Sequence, residues 1–228
     1  MRKSHGSSWT PRPSLIEYAN NLPTLNSTFQ RTGVLFVLSA PSGGGKTTLC
    51  AGLRANQDFV YSVSCTTRAP RPGERDGEHY LFLSQEEFTR RVEAEEFLEY
   101  AEVHGRYYGT LKSTVIENLR QGLDVLIDVD IAGAASIRGC GDKLITDSLA
   151  DVFVMPPSVE ELRQRLERRG TEAPEQIALR VRNAVAEMER WYEYKYTIIS
   201  RTPPEDVESF RAIMRAERQL TRRYVNTP

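Results

Sequence analysis

The stretch Val34–Leu49, VLFVLSAPSGGGKTTL, restricts the possible folds of this chain more than any other. Val34–Leu38 is an unbroken apolar run, too short for a helix and without the alternation of a half-exposed strand. Such a run fits a strand buried on both faces of a parallel sheet. Pro41 and the glycines Gly43, Gly44 and Gly45 end it, and a helix is expected from about Thr47. A buried strand, a glycine turn and a helix make a βα unit, which points to an α/β fold.

The remainder of the chain agrees. DVLIDVD (Asp124–Asp130) and ADVFVMPP (Ala150–Pro157) read as further buried strands, and YTIIS (Tyr196–Ser200) as the last one. Helices alternate with them. Ser158 with Glu161 forms a capping-box pattern before SVEELRQRLERR. Ile177, Val181, Ala184, Val185, Met188 and Trp191 recur at helical period and read as a core-facing stripe. Between Ser62 and Lys112 the texture changes to short strands (EHYLFL, FLEYAEV, RYYGT), turn signals, and one helix capped at Ser84 with Glu87 three residues on. The expected architecture is a parallel sheet flanked by helices, with a small mixed β subdomain inserted at 64–110 and an Arg-rich helical lid at 158–184. The core then spans 33–63, 111–157 and 185–220. Residues 1–32 are rich in Ser, Thr, Asn and Pro without a sustained period, and read as a flexible extension; 221–228 reads as a tail.

Composition narrows the partners. Thirty Lys+Arg against 31 Asp+Glu leave a net charge of −1. No overall basic field calls for nucleic acid or a membrane surface, so any anion site must be local. No apolar run approaches membrane-spanning length, and the N-terminus lacks the apolar core of a signal peptide. Cys50, Cys65 and Cys140 are scattered, with neither metal-ligand spacing nor a disulfide framework, and a reducing cytoplasm is expected. His5, His79 and His104 show no spacing that suggests catalysis.

The glycine segment has a chemistry of its own. Glycines let backbone N–H groups converge on a phosphate, and a helix N-terminus adds its dipole. Ala40, Pro41, Ser42, Gly43, Gly44, Gly45, Lys46, Thr47 and Thr48 are therefore the expected cradle for the phosphates of a nucleoside triphosphate. Lys46 supplies charge to the β and γ phosphates, and Thr47 a hydroxyl for Mg²⁺. The usual P-loop begins with Gly where this chain has Ala40, which requires a negative φ there. An ordinary glycine-rich βα turn is the bland alternative.

A P-loop leaves the second substrate open. In SCTTRAPRPGERDGEHY (Ser64–Tyr80), Arg68 and Arg71 sit near turn residues with Tyr80 close behind. Arginine forks match phosphate oxygens, and a tyrosine hydroxyl adds a neutral donor. A solvated loop would have the same composition. In EFLEYAEVHGRYYGT, Glu99 lies in one strand-like run, and Tyr108 and Thr110 share a face of the next. A pocketed carboxylate can accept from the adjacent N1–H and 2-amino groups of guanine, while the Ser64 and Thr110 hydroxyls could serve O6 or N7. Without further context, an exposed strand carboxylate is the default for Glu99.

Taken together in order, these motifs, with DVLIDVDIAGA, PPSVEELRQRLERRGTE and RVRNAVAEM, resemble the guanylate kinase family from about Gly33 to Leu220. The resemblance implies a P-loop nucleoside monophosphate kinase. Ser64, Glu99 and Thr110 then read guanine, and Arg68, Arg71, Tyr80 and Tyr108 clamp the GMP phosphate. Asp130 faces GMP and Asp128 lies near Lys46 and Mg²⁺, although either aspartate could simply cap the following helix. Arg165, Arg169 and Arg180 match lid positions that fold over the ATP phosphates, whereas Arg163, Arg168 and Arg182 read as a solvated face. Two departures stand out: Ala132-Gly133 where the family commonly has Gln-Gly, and Ser200-Arg201-Thr202-Pro203 where Asn and Asp often lie near the adenine.

The implied reaction is Mg²⁺-dependent transfer of the ATP γ-phosphoryl group to GMP, with dGMP as a further acceptor. Two competitors remain at this point: a non-catalytic guanylate-kinase-like module that binds phosphorylated peptides, and a kinase for a phosphorylated sugar such as ribose 1,5-bisphosphate. Intact Lys46 and Thr47 speak against the first, and the guanine-reading set against the second.

Overall fold

The computed structural model describes residues 28–55, 58–168 and 174–227. Residues 1–27 of the expected extension, and Arg169, lie outside the described residues.

The main sheet holds five parallel strands in the spatial order β10 (Tyr196–Ile199), β9 (Leu149–Met155), β2 (Leu35–Ser39), β8 (Val125–Asp128) and β3 (Val60–Tyr61). Every residue of β2 is buried, because helices cover both faces of this central strand. Phe36 and Leu38 point to one side, where they pack with Leu49, Cys50 and Leu53 of α1 (Lys46–Arg54) and with Phe210 and Met214 of α8 (Pro203–Arg218). Leu35 and Val37 point to the other, against α3 (Lys112–Arg120), α4 (Ile131–Arg138) and α5 (Lys143–Ser148). Each fully buried Leu or Phe contributes about 1.5–3 kcal/mol, so these two layers hold the sheet in place. Leu38 is paired with Asp128, which brings the ends of β2 and β8 side by side and aims both of their following loops at one rim. In parallel α/β sheets that rim is where ligands bind.

The segment expected as a mixed β insertion forms a second sheet in the order β5 (Leu81–Phe82), β4 (Cys65–Thr66), β7 (Arg106–Leu111), β6 (Phe97–Val103). The β4–β5 pair is parallel and the others antiparallel. Phe88 of α2 (Gln85–Glu93) stacks on Phe97 beneath it, with Cys65 and Leu111 completing a small separate core. The Ser84 side chain accepts from Glu87 N, as the cap pattern requires.

α6 (Val159–Glu167) and α7 (Pro174–Met188) pack on each other through Leu162, Leu166, Val181 and Ala184, with Ile177, Val185 and Met188 alongside. Trp191 departs from the expected stripe. The helix stops at Met188, and Trp191 falls in a 3₁₀ turn (Trp191–Glu193) where it is 50% exposed. Tyr196–Ile199 is not the last strand either. β11 (Tyr224–Thr227) pairs antiparallel with β1 (Thr28–Arg31), joining the end of the stretch read as an extension to the stretch read as a tail. Among the described residues, no helix is long and apolar enough to cross a membrane.

Candidate active site

The glycine segment runs from the end of β2 into α1. Gly43 and Gly45 have φ of 82° and 106°, conformations open to glycine and strained for other residues. Ala40 meets the condition set by the sequence: among the described residues the non-glycines with positive φ are Glu95 and His104. Gly44 N donates to Pro41 O at 2.8 Å, tightening the turn, and a Cβ on Gly44 would come within 2.9 Å of that oxygen. α6 closes directly on the loop, since a Cβ on Gly43 would meet Leu162 and Leu166 at 3.0 and 3.1 Å.

Lys46, at the first turn of α1, donates to Val129 O at 2.9 Å and lies 3.8 Å from Asp128 Oδ2. An ammonium carries three donors, so the contact with Val129 leaves two for an anion. Tyr61 gives its hydroxyl to Asp128. Thr47 and Thr48 are exposed at the helix start. Ser42 holds the loop to α7 twice, its N–H donating to Glu187 Oε2 at 3.1 Å and its Oγ accepting from Arg180 Nη2 at 2.7 Å. Arg165 donates through Nε to Glu161 at 2.8 Å and through Nη1 to Ser200 Oγ at 3.0 Å. A cavity of about 370 Å³ opens along this side of the loop, lined by Gly43, Gly45, Thr48, Arg165 and Ser200 among others. Arg168 and Asp206 also line it. Arg168 lies on the exposed face that the sequence indicates and reaches the cavity rim, whereas Asp206 has no motif around it.

The second cluster that the sequence singles out is built on the mixed sheet. Arg68 forks onto Glu74 with both contacts at 2.9 Å, and the same carboxylate accepts from Arg71 N at 2.7 Å. The Arg68 and Arg71 interactions hold the Glu74 carboxyl far down, at about 2. The Arg68 guanidinium also sits 5.3 Å from the Tyr80 ring centre, and Tyr80 meets Tyr108 edge-on at 6.1 Å. Glu74 was legible only as turn composition.

Glu99 and Thr110 are direct cross-strand partners, placed by the irregular register between Phe97 and Glu99. The Thr110 hydroxyl donates to Glu99 Oε1 at 2.7 Å. Glu99 is 9% exposed. Burial, assisted by Asp130, pushes its carboxyl up, while the Thr110 hydrogen bond pulls it down. A Cβ on Gly133 would lie 3.2 Å from Glu99 Oε2 and 3.3 Å from Asp130 Oδ1, so the glycine leaves room for both carboxylates. Asp130 caps α4 by accepting from Gly133 N at 2.7 Å, the structural role the sequence had left open for it.

The head of α1, the end of β8 and the inserted subdomain share a common space. A cavity of about 250 Å³ is lined by Thr47, Cys50 and Asp128 from the sheet rim and by Ser64, His79 and Tyr80 from the inserted subdomain. The buried Ser62 hydroxyl also lines it and has no hydrogen-bond partner among the described residues. Burial raises the Cys50 thiol to about 11, which keeps it protonated and inert at neutral pH. The head of α1 and the end of β8 form one wall of this cavity, and the inserted subdomain forms the other.

A family model described as guanylate kinase matches residues 32–217. The guanylate kinase of Maricaulis maris (strain MCS10) is 45% identical over 190 residues, covering 83% of this chain and 85% of its own length. That of Symbiobacterium thermophilum is 46% identical over 190 residues, covering 83% and 88%. Among solved structures, the crystal structure of guanylate kinase from Anaplasma phagocytophilum is similar at a TM-score of 0.65 and 32% identity, over 86% of this chain and 92% of that one.

Proposed function

The chain belongs to the guanylate kinase family and is a nucleoside monophosphate kinase, ATP + GMP = ADP + GDP; from that premise we propose which of its residues carry the reaction. One observation supports the assignment above the others: Thr47 and Asp128 share a cavity with Ser64 and Tyr80, so the loop and the inserted subdomain face each other.

ATP lies along Ala40–Thr48. The N–H groups of the glycine turn and the head of α1 take its phosphates, and Lys46 turns its two uncommitted donors on them. Arg165 and Arg180, already beside Gly45 and on Ser42, add positive charge over the transferring group. The GMP phosphate is taken by Arg68, Arg71, Tyr80 and Tyr108, and its base by Ser64, Glu99 and Thr110, with Asp130 nearby. Because Thr110 gives its one hydroxyl hydrogen to Glu99, it orients that carboxylate instead of serving O6 or N7, and the remaining lone pairs of the two carboxylate oxygens take the guanine N–H pair. The acceptor phosphate oxygen is already nucleophilic, so no general base is required. Closure of the two walls excludes water that would otherwise compete for the phosphoryl group.

The residues also fit Mg²⁺. The exposed Thr47 hydroxyl and the half-exposed Asp128 carboxylate are hard oxygen donors near one another. Among the described residues no group of three or more His, Cys, Asp or Glu could hold a metal alone, which suits an ion bound chiefly through ATP phosphates. Thr47 would hold it directly and Asp128 through its outer shell. When bound, it would neutralise charge on the β and γ phosphates. Three free cysteines fit a reducing compartment, and we assign the reaction to the cytoplasm.

Coupled ADP release with GMP, dGMP, AMP, CMP and UMP as acceptors, with and without Mg²⁺, tests this reading. Turnover confined to the guanine nucleotides and dependent on the metal is expected; equal use of AMP would refute the base-reading set.

A further inference from the structure

The transfer scheme leaves the buried carboxylate beside the glycine loop unused. Asp206, 6% exposed, sits in the first turn of α8 and lines the cavity beside the glycine loop. Its Oδ2 accepts from the Ser200 hydroxyl at 2.7 Å and its Oδ1 from Arg201 N at 2.8 Å. Ser200 Oγ in turn accepts from Arg165 Nη1 at 3.0 Å. This line of three side chains ends on the phosphate cradle: a Cβ on Gly45 would stand 3.4 Å from Ser200 Oγ and 3.6 Å from Arg165 Nη1.

The chemistry gives the line a direction. A serine hydroxyl has one hydrogen, and an ionised carboxylate only accepts. Ser200 must therefore give its hydrogen to Asp206, which turns its lone pairs toward Arg165. The helix start does not need Asp206 as its cap, because Thr202 and Glu205 already form a capping box there. Arg165 is a long side chain with several rotatable bonds, and holding it in place before ATP arrives removes an ordering cost from binding.

We propose that Asp206, acting through Ser200, is a positioning residue for Arg165 that sets its guanidinium against the phosphate cradle. The inference rests on the assignment of Arg165 to the ATP phosphates. Glu161 holds the other side of the same guanidinium at Nε, so Arg165 is fixed from two directions. In Asp206→Asn the amide can donate to Ser200 Oγ and compete with Arg165 for its lone pairs. In Ser200→Ala the link is absent.

The test is a double-mutant cycle on steady-state kinetics. Ser200→Ala and Asp206→Asn are each measured in the parent and in an Arg165→Ala background, with KM for ATP and for GMP read separately. In the parent, KM for ATP should rise roughly tenfold, the size of one hydrogen bond to a charged group. KM for GMP should stay within about twofold, since the acceptor site is untouched. In the Arg165→Ala background neither variant should change KM for ATP further. An unchanged KM for ATP in the parent, or an equal rise in both backgrounds, overturns the proposal and leaves Asp206 a structural role. Should Asp206→Asn fail to fold, Ser200→Ala removes no charge and carries both comparisons alone. Parent protein that fails to phosphorylate GMP would instead count against the proposed function.

Discussion

The Thr110 hydroxyl donates to Glu99 Oε1 across the β6–β7 pair, and this contact joins a buried carboxylate to a neutral donor where the acceptor base is proposed to lie. Folding raises the Glu99 pKa, with burial as the largest cause and Asp130 adding to it. The sign of the consequence is fixed. A carboxyl that binds its proton more tightly when folded contributes stability fully below its unfolded pKa and loses it as pH rises through the folded one. Glu99→Gln should therefore raise the melting temperature of the unliganded enzyme at pH 7. It should also lower the GMP-over-AMP ratio of kcat/KM by roughly tenfold or more, because an amide no longer matches the two adjacent guanine donors. A variant with parental selectivity would remove Glu99 from base recognition, whatever its melting temperature.

Lys46→Ala is the corresponding test of the phosphate wall. The side chain reaches the Val129 carbonyl at the end of β8, so its removal takes charge from the rim without opening the core. We expect kcat to fall by about two to three orders of magnitude, as for other preorganised charge contacts to a developing anion. Circular dichroism and the unfolding midpoint should stay near those of the parent. Parental turnover would refute the cradle assignment.

How far such sites could be read in the sequence depended on how local their signals were. The apolar run Val34–Leu38 announced burial on both faces because it lacked a period, and Phe36 and Leu35 do point to opposite layers. The glycine loop was legible as a strand–turn–helix unit because its apolar run and its glycines lie in one continuous stretch. Glu74 was not, because its carboxylate gains meaning only when the turn returns it to Arg68. Asp206 was missed for a related reason: it lines the cavity beside the glycine loop only once α8 packs there. β1 and β11 lie at opposite ends of the described chain and pair with each other alone, a contact that local periodicity cannot encode. Trp191 kept the period of α7 on paper, yet the helix ends before reaching it.

Arg68 offers a test of geometry as opposed to charge. Its fork onto Glu74 and its place near the Tyr80 ring both use the planar guanidinium. Arg68→Lys keeps the charge and loses the fork and the stacking. KM for GMP should rise roughly tenfold while KM for ATP stays near parental, as fits loss of a charge-assisted bond on one wall only. Because Glu74 is held at about 2, the partner carboxylate stays ionised throughout the neutral range, and the KM for GMP should show no titration from it between pH 5 and 8. Equal KM for GMP in the two proteins would remove Arg68 from the phosphate clamp.

Asp124 carries the prediction for stability. Its side chain is 2% exposed and accepts from Arg31 Nη1 and Arg218 Nε, both at 2.6 Å, and from Val34 N at 2.9 Å. One carboxylate thereby ties the end of β1, the C-terminal turn of α8 and the entry to β2. Arg31 strengthens the same corner by donating to Gly122 O at 3.0 Å. Asp124→Ala leaves two partly buried guanidiniums and a backbone N–H without their shared acceptor, a change that typically costs about 3–5 kcal/mol. Urea unfolding should show a midpoint shifted down with little change in slope, since the surface exposed on unfolding is the same. The site itself is at the opposite end of the strands, so residual folded enzyme should keep its parental KM values. A loss under about 1 kcal/mol would mean that water replaces the carboxylate, as at an exposed ion pair.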